Sequence, residues 1–135
     1  PKRPKKTVGA FSAEVLDAAE RYRGAFNASH PRRVTMPPEA IAAFAALAKQ
    51  HPLETLIALP LLAQAQGRPA QEIGTYLRVG DRGTYAWVPA LVQQADRTTL
   101  TQAQVSVAIA AGVLEHLTEK LHVRVRLAEP EDFEP

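Results

Sequence analysis

Residues 64–94 read QAQGRPAQEIGTYLRVGDRGTYAWVPALVQQ. Ile73, Tyr76 and Leu77 recur at helical spacing after Pro69, so the pattern predicts a helix from Pro69 through Arg78. Val79 to Gly83 then carries two glycines around Asp81, a turn composition. Thr84 is placed to cap a further helix carrying Tyr85, Trp87, Val88, Leu91 and Val92. Pro89 falls inside that helix and can shift its start. The expected core of the fold is therefore a pair of helices joined by a glycine turn. Gly74 supplies a small residue where the two would touch.

Toward the N-terminus, Leu53 to Ala65 is apolar nearly all round, which suits a central helix. It is read as starting at Pro52 and ending near Gln66. Pro60 should kink or divide it, because proline removes a helix hydrogen bond, and Gly67 is placed to cap it. Before it, Pro37 and Pro38 open a helix with Glu39 in its first turn and Ile41, Phe44, Leu47 and Ala48 as its stripe. Arg33 to Met36 reads as a short strand. The first helix has Ser12 as its cap and Phe11, Val15, Ala19, Tyr22 and Phe26 on one face. Asn27 to Arg33 should end it.

Toward the C-terminus, Asp96 to Leu100 reads as a polar loop. Thr101 caps a long helix to about Leu121, with Val105, Ala108, Ile109, Val113, Leu117 and Leu121 as its stripe. His122 to Leu127 alternates Val123, Val125 and Leu127 with Arg124 and Arg126, the period of a half-buried strand. Arg33 to Met36 is its expected partner. The expected fold is mainly α: about six helices with a minor two-stranded β element. Residues 11–128 form one helical domain, residues 1–10 a flexible basic arm and residues 129–135 an acidic tail.

Composition supports one folded unit. The chain has 135 residues, of which 46% are hydrophobic, enough for a core. It has no cysteine, which excludes disulfides, thiol catalysis and cysteine metal sites. The N-terminus leads into no apolar signal core and no stretch reaches the ~20 apolar residues of a span, so a cytoplasmic protein without membrane contact is expected. Net charge is +2 but uneven. Lys2, Arg3, Lys5 and Lys6 open the chain, and Glu129, Glu131, Asp132 and Glu134 close it. A basic arm on a near-neutral body can contact phosphates.

With these features in place, residues 64–94, and in part the chain to 127, resemble bacterial winged-helix and helix-turn-helix DNA-binding proteins. Ile73, Leu77 and Val79 stand at the apolar positions of the first half, and Thr84, Tyr85 and Val88 at the start of a recognition helix. The resemblance implies that Arg82, Thr84, Tyr85 and Ala86 face a major groove. Arg68, Arg78, Arg124 and Arg126 extend the positive face if the fold brings them together. The expected function is non-catalytic binding of double-stranded DNA, regulatory or accessory to a DNA transaction, with Lys2, Arg3, Lys5 and Lys6 on phosphates. The rival reading is a helical protein-interaction module, acting as an adaptor or assembly subunit. The apolar helix from Val105 to Leu121 could also form a homodimer seam, since its small residues Ala108, Ala110, Ala111 and Gly112 permit close helix approach, which is equally useful inside one chain.

No catalytic residue, metal ligand or cofactor is expected. His116, Glu119 and His122 form H-x-x-E-x-x-H, but a spacing of six turns His122 about 120° from His116 on a helix. Glu115 and Glu119 lack an apolar pocket that would raise a carboxyl pKa. Gly80 to Gly83 lacks the Walker lysine and the dinucleotide spacing.

Overall fold

The structure, a computed structural model, describes residues 11–30, 32–79 and 86–126. The arm at 1–10 and the tail at 129–135 lie outside these residues, as do the boundaries drawn for them. Among the described residues the fold is mainly helical, with one small two-stranded sheet.

Ser12 accepts a hydrogen bond from the Val15 amide at 3.1 Å and starts α1, Ala13–Ser29. This helix buries Ala18, Ala19, Tyr22, Ala25, Phe26 and Ser29, one face of a 3.6-residue period. It runs past the expected break at Asn27 to Ser29, whose Oγ donates back to the Ala25 carbonyl at 2.7 Å. Asn27 has another task. Its side-chain amide donates to the Val34 carbonyl at 3.0 Å and its oxygen accepts from the Val34 amide at 3.2 Å. The backbone of Val34 is thus paired to a side chain, and Arg33 to Met36 forms no strand. α2, Pro38–Leu47, starts on Pro37 and buries Ala40, Phe44 and Leu47, with Ile41 half-buried.

Pro60 divides the central segment. α3, Leu53–Ile57, and α4, Leu59–Ala65, share Ala58 as end and start. Proline then stands in a first turn, where its missing N–H has no helical partner to lose. Leu56, Ile57, Leu59, Leu61 and Leu62 have no exposed surface, and α1 packs across both short helices. Each such side chain contributes about 1.5–3 kcal/mol of burial. Gly67 ends α4 at φ 77°: its amide bonds the Gln64 carbonyl at 3.1 Å and Arg68 N–H the Ala63 carbonyl at 2.7 Å, the paired bonds of a Schellman end.

The helix expected over Pro69 to Arg78 does not form. The segment is irregular up to Gly74 and holds one 3-10 turn, Thr75–Leu77. Its polar backbone is bound from outside instead: Tyr76 Oη accepts from the Ala70 amide at 2.6 Å, and Tyr22 Oη donates to the Ile73 carbonyl. Gly74 does lie at an element contact, but with α2, where an added Cβ would sit 3.8 Å from Ala40 Cβ. α5, Trp87–Gln93, starts after the extended Ala86, which puts Pro89 in its first turn. The expected cap Thr84 lies outside the described residues.

Asp96 to Leu100 is not a loop throughout. After a 3-10 turn, Ala95–Arg97, comes β1, Thr99–Leu100, paired in parallel with β2, Arg124–Val125. β1 therefore takes the place that was expected for Arg33 to Met36. A parallel pair needs a crossover, here supplied by α6, Gln102–Ala111, and α7, Leu114–Glu119. The single long helix expected from Thr101 to Leu121 is split by Gly112, at φ 75°. Thr101 opens α6 with a reciprocal capping box with Gln104, and Arg21 closes it, donating Nε to the Ala111 carbonyl at 2.9 Å. α6 rests on α1 through the buried Ala108 and Ala111, leaving Ile109 61% exposed.

Candidate nucleic-acid interface

The small sheet joins two arginine-bearing segments that are far apart in the chain. Along β1 and its flanks, exposure alternates: Arg97, Thr99 and Thr101 are exposed while Thr98 and Leu100 are buried. Along β2, Arg124 and Arg126 are exposed on either side of the half-buried Val125. The register pairs Thr99 with Arg124 and Leu100 with Val125, and paired residues share a face of a sheet. One face is therefore that of Leu100, buried in the core, and its half-buried partner Val125. The other carries Thr99 and Arg124 to solvent, with Arg97 exposed in the 3-10 turn before β1 and Arg126 exposed just after β2. Backbone bonds from Arg124 N to the Thr98 carbonyl at 2.8 Å and from Arg126 N to the Leu100 carbonyl at 2.9 Å hold this register. No carboxylate among the described residues pairs with Arg97 or Arg124, although Asp96 is exposed beside Arg97.

Sequence reasoning anticipated Arg124 and Arg126 but missed Arg97 and Thr99. The signal was present in R-T-T-L-T at 97–101, a β-branched run with period-two alternation. Of the other expected contacts, Lys2, Arg3, Lys5, Lys6, Arg82, Thr84 and Tyr85 lie outside the described residues. Ala86 is half-buried at the start of α5. Arg78 is exposed and paired with Glu72 at 3.3 Å, so a phosphate would compete with that carboxylate for it. The outward residues of α5 are Pro89 and Gln93, followed by Gln94, and none is a cation.

Arg78 belongs to a second feature. An apolar groove of about 540 Å³ runs between α2 and the 3-10 turn. Val34, Pro37, Ala40, Ala43, Ile73 and Leu77 line it, with Glu39, Glu72 and Arg78 as its charged residues. Val79, next in the chain, is 68% exposed.

Two of the histidines, His116 and His30, are tied to hydroxyls. His116 Nε2 bonds Thr55 Oγ1 at 2.7 Å; burial holds its pKa below the usual value, with Glu54 opposing and Lys120 adding to the effect. His30, buried, bonds Ser29 Oγ through Nδ1 and Tyr76 Oη through Nε2, each at 2.7 Å. Among the described residues no group of three His, Asp or Glu side chains converges to hold a metal ion, and no helix is long and apolar enough to cross a membrane. Comparison with protein-family models, with curated proteins and with solved structures found no match.

Proposed function

We propose that the chain is a non-catalytic DNA-binding protein, regulatory or accessory in a DNA transaction, that holds the phosphate backbone through the arginine face of its sheet. The observation that carries this reading is the register that sets the exposed Thr99 against the exposed Arg124, with exposed Arg97 and Arg126 flanking the same two short strands. Guanidinium and hydroxyl groups are the usual partners of phosphate oxygens. The basic arm, Lys2, Arg3, Lys5 and Lys6, adds charge to the same task. α5 contributes amide groups at Gln93 and Gln94 rather than cations, so the expected binding is dominated by the backbone and only weakly selective for sequence.

The test is fluorescence anisotropy with a labelled duplex across a salt series. Binding should weaken steeply as salt rises, because phosphate contacts release counterions. The Arg97→Gln and Arg124→Gln variants should each flatten the logarithmic salt slope by about 1, equally for unrelated duplexes. Absence of duplex binding at low salt would sink the reading.

A second reading, a protein-interaction module, rests on the groove between α2 and the 3-10 turn. Its volume and apolar lining suit one or two side chains of an apolar peptide. In that case Ala43→Arg should abolish peptide binding, while Arg124→Gln leaves it unchanged.

A further inference from the structure

One wall of the groove is held to the body of the protein by a chain of side-chain hydrogen bonds centred on a buried histidine. Ser29 Oγ spends its proton on the Ala25 carbonyl at 2.7 Å, so it accepts from His30 Nδ1–H. That leaves Nε2 without a proton, accepting from Tyr76 O–H at 2.7 Å. Tyr76 Oη in turn accepts the Ala70 amide at 2.6 Å. Tyr76 also packs edge-on against Trp87 of α5, with ring centroids 5.1 Å apart. We propose that His30 and Tyr76 form an acid-sensitive latch: a proton on His30 Nε2 reverses its bond to Tyr76 and strands the Tyr76 proton, weakening the hold on the Tyr76 end of residues 68–78 and loosening that wall of the groove and the packing of Trp87.

With Ser29 donating to Ala25, the neutral ring is fixed in one tautomer. A proton on Nε2 makes both ring nitrogens donors. The His30–Tyr76 bond must then reverse, with Nε2–H donating to a Tyr76 Oη that already accepts the Ala70 amide, and the Tyr76 proton is left with the Arg68 carbonyl at 3.4 Å, a poor partner. The surroundings do not accommodate the new charge. Phe26 stacks on the ring at 4.4 Å, Tyr76 lies edge-on to it, and Gln64 of α4 is bonded to the Ser29 carbonyl rather than to the ring. The charge acting on His30 is that of Arg32, of the same sign, while the Phe26 carbonyl offers partial relief. Glu72 and Arg78, the ionised pair on the latched segment, are satisfied by each other. Burial accordingly holds the His30 pKa below its ordinary value. The segment is suited to local release, since a single 3-10 turn is its regular structure. Its second tie, Tyr22 Oη to the Ile73 carbonyl, does not titrate with His30, because burial raises the Tyr22 pKa well above the usual tyrosine range. Release therefore begins at Tyr76 and Ala70.

Trp87 is the single tryptophan of the chain, so its emission reports the latch directly. Between about pH 8 and about pH 5 the intact protein should show a red shift of emission with a midpoint below about 6.5, while the far-ultraviolet helical signal is retained. His30→Gln, which cannot take up the proton, should abolish the shift. Tyr76→Phe should show the acid emission already at about pH 8. Should His30→Gln not fold, proton NMR of the unaltered protein gives the His30 midpoint, which must coincide with that of Trp87. The proposal is overturned by an unchanged emission down to about pH 5, by the same transition in His30→Gln, by differing midpoints, or by loss of helix at the Trp87 midpoint.

Discussion

Gly112 shows how one residue can set an element boundary. Its φ of 75° belongs to the left-handed region, and an added Cβ would run into the Arg21 guanidinium that caps α6. Gly112→Ala should therefore lower stability by about 1–2 kcal/mol, from backbone strain and a displaced cap together; a shift in the urea midpoint measures it. His30 and His116 act through their protons. Burial, the leading cause in both, holds their pKa values below the ordinary one. The unfolded chain then binds more protons than the folded one once pH falls below about 6.5. Their contribution to stability is complete above that pH and is lost as pH falls through the folded-state values. Thermal midpoints should decline on acidification from neutral pH, and less so in His116→Gln. An unchanged slope in that variant would deny His116 its part.

The short elements depend on partners outside themselves. α6 has a capping box of its own, so Thr101→Ala should cost about 1 kcal/mol in chemical denaturation. The stretch around Val34 has none, and Asn27 supplies both missing backbone partners. Asn27→Ala should cost about 1–3 kcal/mol, since it strands a donor and an acceptor in a half-buried place; a loss below the measurement error would mean that water replaces the side chain. α3 and α4 are stabilised by burial rather than by length. Leu62→Ala, at a site with no exposed surface, should cost about 2–5 kcal/mol by calorimetry.

DNA binding, if the arginine face carries it, is a property of the assembled fold. Removing residues 1–6 should lower duplex affinity alike for all sequences, whereas Arg124→Gln should do so with the arm intact; equal binding by both variants and the parent would refute the assignment. Much of the architecture was legible beforehand, because local chemistry decides it. Ser12 and Thr101 start helices through their own hydroxyls, Gly67 ends one by its conformational freedom, and Pro60 divides the central helix wherever that helix lies. The apolar run from Leu53 to Ala65 could only be core. Other features depended on contacts between residues distant in the chain. Ile73, Tyr76 and Leu77 have helical spacing, yet Tyr76 and Tyr22 draw that segment's backbone into irregular bonds that no local period encodes. Arg33 to Met36 is not in the sheet, and Asn27 holds the Val34 backbone instead. β2 pairs with Thr99–Leu100, and that pairing sets Arg124 against Thr99. Caps, glycines and prolines act within a turn of chain, so they can be read in order. Strand partners and buried hydrogen bonds are chosen among all surfaces that the collapsed chain presents, and that choice exists only in three dimensions.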